Sequence, residues 1–241
     1  MEESLDDLDR FPHPHLAVDI ALLTLHEGAL QALLLRRQDP PFAGAWALPG
    51  GFVRVDESVA AAATRVLAEK CGLRDVFVEQ LFTFGDVRRD PRGRVVSVAH
   101  YALVPARTLL DTIAGRDLLL ARLEVPWPGL AGGSVTAAAN GKALRLAFDH
   151  GTVLGTTVQR LRGKIDYAPV GFELLPAQFT LLDLLQVHQA VLGHELNKDS
   201  FRRRLLASGL LTPTGKRRGG TNFRPATLYR FKHPARGSKK P

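Results

Sequence analysis

The chain has 241 residues, 45% hydrophobic and 23% charged; that is enough for one large or two ordinary domains, each with its own core. One cysteine, Cys71, excludes an intramolecular disulfide framework and a zinc cluster, while the acidic N-terminus and the lack of eighteen consecutive apolar residues speak against secretion or a membrane and for the cytoplasm. The net charge of +8 is divided unevenly: residues 198–241 carry 13 Lys and Arg against one acid, a balance of +12 that leaves −4 on residues 1–197. A basic end on an acidic body is the footprint of a nucleic-acid partner, a merely solvated tail being the other reading.

Residues 1–12 read as a mobile acidic arm bearing Glu2, Glu3, Asp6, Asp7 and Asp9, or as an arm that docks on a partner subunit. Two apolar runs, 16–25 and 29–36, flank His26, Glu27 and Gly28 and suggest a β-hairpin, although the alanines and leucines of the second would also suit a helix. Arg36 and Arg37 end the second run, placed either to meet an anionic ligand or simply to stand exposed. A loop through Pro40, Pro41, Phe42 and Gly44 leads to Trp46, which either covers a ligand or caps the sheet edge. Gly50 and Gly51 supply a backbone that can turn sharply and approach a phosphate. Val59, Ala62, Ala63, Val66 and Leu67 then recur at helical spacing until Gly72 stops the helix.

This stretch fits the register of the Nudix box, which runs Gly, five residues, Glu, seven residues, then Arg-Glu-apolar-x-Glu-Glu-x-Gly-apolar. Gly51, Glu57, Arg65, Leu67, Glu69, Gly72 and Leu73 match, whereas Val66 and Lys70 stand where the family carries glutamates. Positions 66, 69 and 70 share a helix face. In the family its carboxylates hold divalent metal against a diphosphate; here one carboxylate, an aliphatic group and an ammonium sum to about zero. Two unit charges 4 Å apart interact by roughly 4 kcal/mol at an effective dielectric of about 20, and a dication doubles this, so Lys70 opposes metal. Glu57, Arg65 and Glu69 are therefore vestigial rather than catalytic, the first two as a structural pair. Glu69 is at best a weak metal ligand. No cofactor is required, and Mg²⁺ enters only with residual hydrolase activity.

Residues 77–84 and 94–104 read as further strands, with His100 as a packing histidine, and 129–141 as loop. Residues 149–162 suggest a helix with Asp149 as N-cap, and 167–175 a strand linking two domains. Thr180 and Asp183 form a capping-box variant before a helix to residue 192, on whose buried side His188 falls. Asn197 can cap a second helix, 198–208, with Phe201, Leu205 and Leu206 inward and Lys198, Arg202, Arg203 and Ser208 outward. Two short strands, 210–212 and 227–231, then enclose the basic, glycine-bearing stretch 214–225. Helix, turn, basic helix and basic hairpin in that order point to a winged helix-turn-helix.

From about His13 to about Phe231 the chain resembles the Nudix-related transcriptional regulators of the NrtR family; the degraded box, residues 146–175, 197–215 and 224–231 carry the resemblance. It implies an α+β protein, a Nudix-like α/β/α sandwich with a mixed sheet plus a C-terminal winged helix-turn-helix domain. The divisions would be the arm at 1–12, a Nudix-like effector-sensing domain at 13–163, a linker strand at 164–175, the DNA-binding domain at 176–232 and a basic tail at 233–241. The resemblance implies a bacterial homodimer that represses genes of NAD metabolism at a near-palindromic double-stranded DNA operator, with ADP-ribose or a related nucleotide as effector. It places Lys198, Arg202, Arg203 and Arg204 toward the major groove and Arg217, Arg218 and Arg224 on phosphate. Gly50, Gly51, Arg65 and Glu69 mark the old diphosphate pocket; Arg36, Arg37, Trp46 and Lys70 complete the ligand-binding set, and Lys70 as a fixed positive charge in place of metal is a reading of this chain's own residues, not a family feature. The rival reading is a metal-dependent Nudix hydrolase acting on ADP-ribose or another nucleoside diphosphate derivative.

Overall fold

The structure is a computed structural model that describes residues 12–114, 116–165, 169–219 and 225–232. The arm at 1–11, Arg224 and the tail at 233–241 lie outside the described residues. Strand β1 (His15–His26) is the axis of a mixed sheet: it pairs antiparallel with β2 (Ala29–Arg36) and parallel with β6 (Val95–Leu103), from His15 opposite Val95 to Leu23 opposite Leu103. A strand covered on both faces reads as a continuous apolar run, which is why residues 16–25 show so little alternation. β5 (Glu79–Phe84) lies beyond β6. On the other side β7 (Leu118–Glu124), β8 (Thr136–Ala139) and β9 (Lys142–Leu144) follow β2, and two short strands, β3 (Trp46–Ala47) and β4 (Gly50–Phe52), pair with β2 and β1.

The period of two along β1 sorts the core into two layers. Val18, Ile20 and Leu22 face α1 (Val59–Val66) and α2 (Ala106–Ile113), meeting Ala62, Ala63, Val66 and Leu109. Ala21 and Leu23 face α3 (His150–Lys164), meeting Val153, Leu154, Val158 and Leu161. α1 continues as a single π-turn, Leu67–Cys71, until Gly72 closes it with φ 68°.

The second apolar layer runs without a break into the C-terminal unit, where Leu184, Leu185 and Val191 of α4 (Leu181–Leu192) and Phe201 and Leu205 of α5 (Lys198–Ala207) join it. Thr180 and Asp183 make the reciprocal capping box, and Asn197 accepts from the Ser200 amide. β10 (Leu211–Arg218) and β11 (Ala226–Phe231) form the wing ribbon. Among the described residues no helix is long and apolar enough to cross a membrane.

Four local expectations are corrected. Residues 136–139 form a strand, not loop: small residues that pair with β7 show no alternation to read. The linker is a 3₁₀ helix, Pro169–Leu174, since Phe172, Leu174 and Leu175 turn into the core instead of alternating, and proline suits a first helical turn. Leu206 is 45% exposed, because Phe201 and Leu205, four residues apart, already occupy the buried stripe. The Asp149 side chain makes no cap; its carboxylate is bound to Arg89 instead.

Arg162, buried near the C-terminal end of α3, ties the sheet unit to the C-terminal unit. Its Nε donates to the Val191 carbonyl of α4 at 2.8 Å and its Nη1 to the carbonyls of Trp127 and Gly129, at 3.1 and 2.9 Å. Burial pulls this guanidinium below its ordinary pKa. A cation at the C-terminal carbonyls of a helix is well placed electrostatically. Arg162→Met would leave three carbonyls without their donor, so urea unfolding should show a loss of about 2 to 3 kcal/mol, with Arg162→Lys intermediate.

Candidate functional site

An open cleft of about 180 Å³ lies where β1, β4, the loop before β3, the 89–92 turn and the start of α3 converge. Its floor is Asp19, the one acid in the apolar run of β1. Ser97 Oγ on the neighbouring β6 donates to Asp19 Oδ2 at 2.6 Å and Arg89 Nη2 donates at 3.0 Å. His150 Nε2 faces Oδ1 at 3.5 Å. The Leu48 amide donates to His150 Nδ1 at 2.9 Å, so Nδ1 is the acceptor and Nε2 carries the proton toward Asp19. Burial alone would raise the Asp19 carboxyl, but His150, Ser97 and Arg89 together hold it well below the usual range. Arg89 is shared, with Nε and Nη2 on Asp149 at 2.9 and 2.7 Å.

Gly50 is required by this floor. A Cβ there would strike the Asp19 carboxylate and lie 2.9 Å from the Val18 carbonyl, and one at Gly51 would press the Val66 methyl at 3.1 Å. The walls carry Phe52 and Phe148, with Arg92 against both rings at 5.5 and 5.7 Å and Arg37 over Phe148 at 4.9 Å. Arg92 is neutralised by a bidentate pair with Asp90. Two cations of the lining differ from these. Arg37 donates to the Pro41 and Asp39 carbonyls at 2.8 and 3.2 Å, and Lys70 Nζ to the Gly50 carbonyl. Among the described residues neither has a carboxylate as hydrogen-bond partner. Lys70 is held below its ordinary pKa first by desolvation of its ammonium and then by Arg37, although much of its side chain is exposed.

The box helix cannot present the donor set of a metal site. Val66 is buried in the core, and Glu69 is held by Arg65 at 3.2 Å and Arg54 at 3.5 Å. Glu57 and Arg65 form a bidentate pair at 2.9 and 2.5 Å, and Arg65 also donates to the Phe52 carbonyl, bracing β4 against α1. No group of three or more His, Cys, Asp or Glu that could hold a metal occurs among the described residues. Divalent metal does not fit these residues.

Of the ligand residues named from sequence, Arg37, Gly50, Gly51 and Lys70 line the cleft. Arg36 is exposed at the end of β2 opposite Trp46, and Trp46 packs against the core instead of lining the cleft. The cleft is also lined by Asp19, Arg89, Arg92, Phe148 and His150, which no motif in the sequence marks as ligand residues. Only Asp19 carried a signal, as a lone acid within an apolar run. In the C-terminal unit Lys198, Arg202, Arg203 and Arg204 are exposed on α5, with Arg204 5.8 Å from the Phe201 ring. Arg217 is exposed on β10, whereas Arg218 is ion-paired with Asp183.

Two family models match the chain: the NUDIX domain over residues 13–119 and the NrtR DNA-binding winged helix domain over 171–231. The ADPR responsive transcriptional repressor NtrR of Acinetobacter baylyi is 35% identical over 223 residues, which cover 92% of this chain and 83% of that protein. The crystal structure of Shewanella oneidensis NrtR complexed with a 27mer DNA superposes with a TM-score of 0.74 at 36% identity, covering 90% of this chain and 93% of that one. A MutT/nudix family protein from Enterococcus faecalis gives 0.77 at 26% identity, covering 96% and 90%.

The brace at the mouth of the cleft has a pH signature. Hydrogen bonds from Arg65, and then from the Arg54 amide, push the Glu57 carboxyl from 4.5 down to about 2. A depressed folded-state pKa stabilises above the unfolded value, and the contribution is lost as pH falls through the folded one. Acid titration of unfolding should therefore show stability lost between about pH 4.5 and 2 that Glu57→Gln lacks, the two proteins converging near the lower limit.

Proposed function

The chain belongs to the NrtR family of Nudix-related transcriptional regulators, and from that premise we propose a repressor that grips DNA through α5 and the wing and releases it when ADP-ribose or a related nucleotide enters the cleft. The observation that carries this reading is the pair Arg37 and Lys70, two cations at one cleft whose hydrogen-bond partners among the described residues are main-chain oxygens. A diphosphate would supply the charge they lack. Phe52 and Phe148 offer apolar faces for the rest of a nucleotide.

On this reading residues 13–163 sense the effector and 176–232 read DNA, and α3 links them. Asp149 and His150 sit at its cleft end, and Arg162 grips α4 at the other. Release requires the nucleotide to bind the free and DNA-bound forms unequally, with a coupling of about 1 to 3 kcal/mol. The exposed cations of α5 and Arg217 supply the phosphate-facing charge. Two copies on a near-palindromic operator, governing genes of NAD metabolism, complete the proposal. A hydrolase would need Glu69 released from Arg54 and Arg65 and a metal held against Lys70; no observation at the box favours it.

The test is electrophoretic mobility of promoter fragments from the protein's own genome, with and without ADP-ribose. Sequence-selective binding that ADP-ribose reverses is the expected result; no selectivity, together with ADP-ribose turnover in Mg²⁺, would transfer the assignment to the hydrolase. Lys70→Ala removes one charge-assisted bond and should weaken ADP-ribose binding about ten- to a hundredfold by calorimetry, while DNA affinity without nucleotide stays unchanged.

A further inference from the structure

Arg218 stands on a basic wing, where a phosphate contact is the obvious role, yet its guanidinium is already engaged. Nη1 donates to Asp183 Oδ1 at 3.0 Å and Nη2 to Asp183 Oδ2 at 2.7 Å. This is the two-pronged geometry with which arginine would hold a phosphate. Asp183 is itself fixed: it is the third residue of α4, and its Oδ2 also accepts from the Thr180 amide at 2.8 Å in the capping box. The ribbon is attached to the same helix start a second time. Phe179 and Tyr229 exchange main-chain hydrogen bonds at 3.0 and 2.8 Å, and Tyr229 lies opposite Pro213.

These two attachments differ in leverage. The Phe179 bridge holds the base of the wing, whereas Arg218 lies opposite Ala226, three residues further along β11 than Tyr229 and roughly 10 Å away, past a bulge in β10. A two-stranded ribbon is strongly twisted and, fixed only at its base, is marginally stable by itself. Fixed at both places, it is held at one angle to α4, and therefore to α5, which packs on α4 through the shared core. Arg217, the next residue on the strand, points to the opposite face and has no ion pair among the described residues.

We propose that Arg218 is a positioning residue for DNA recognition, locking the wing to α4 through Asp183, and that the phosphate-facing charge of the ribbon comes from its other cations. This rests on the repressor reading, which makes the wing a DNA contact. The two roles predict opposite signs for one substitution. Asp183→Asn keeps a side-chain oxygen for the Thr180 amide, so the helix cap survives, but it removes the ion pair. If Arg218 held phosphate, taking away the competing negative charge would tighten DNA binding or leave it alone. If Arg218 is the lock, the same change loosens the wing and weakens binding.

The experiment uses the full chain with Asp183→Asn, Arg218→Gln and the double substitution. The DNA probe is a duplex selected by the wild-type protein from a randomised pool, and amide hydrogen exchange over residues 211–218 is followed without DNA. The lock predicts faster exchange in all three variants and an affinity loss of up to about fivefold in each single variant that the double does not exceed. The salt slope of Asp183→Asn stays at the wild-type value. Unchanged exchange in Asp183→Asn with equal or tighter DNA binding, and a slope reduced by about 0.9 in Arg218→Gln, would overturn it in favour of a phosphate contact. Should the wild-type protein select no sequence, the repressor reading fails, and the exchange arm still decides whether Arg218 locks the wing.

Discussion

One buried carboxylate organises the cleft. Asp19 sits in the most enclosed strand of the sheet, and three segments reach it: β6 through Ser97, the 89–92 turn through Arg89, and α3 through His150. An ionised carboxylate in such a place is tolerable only if it is fully partnered, and removing one partner of a buried pair typically costs about 3 to 5 kcal/mol. The partners are therefore fixed by necessity. Arg89 carries the constraint to Asp149, and His150 carries it to the Leu48 amide beside Gly50. The glycine at position 50 follows from the same cause, because the carboxylate fills the space a Cβ would take.

The Nudix helix has kept its brace and lost its metal face. Glu57 and Arg65 still hold β4 against α1, so the loop geometry that approaches a phosphate survives. Val66 fills the core, Glu69 is spent on two arginines, and Lys70 puts its ammonium on the Gly50 carbonyl. On the repressor reading, the two departures, Val66 and Lys70, move the site from binding a cation toward binding an anion directly. Above it α3, about 22 Å long at 1.5 Å per residue, carries Asp19's partner His150 at one end and Arg162's grip on α4 at the other. On the repressor reading, a rod held at both ends gives ligand and DNA a shared element to bias.

Periodicity and caps made much of the fold legible. The β1–β2 hairpin, the box helix, the capping box at Thr180, the Asn197 cap and the winged ribbon all have local causes written in adjacent residues. What was not legible depends on partners distant in sequence. β8 is made of small residues and exists because β7 pairs with it. Arg89, Arg92, Phe148 and His150 reach the cleft from separate segments, and no spacing rule connects them with Gly50 or Lys70. Arg218 is indistinguishable in sequence from its basic neighbours, and its partner Asp183 lies 35 residues earlier.

The exchange of a metal-holding face for a cationic one is tested most directly by calorimetric titration of ADP-ribose into the protein in excess EDTA and again in Mg²⁺. The prediction is saturable binding with the same affinity in both buffers, since Arg37 and Lys70 supply the positive charge themselves. Binding that appears only when Mg²⁺ is present would contradict it and return the cleft to metal-dependent chemistry.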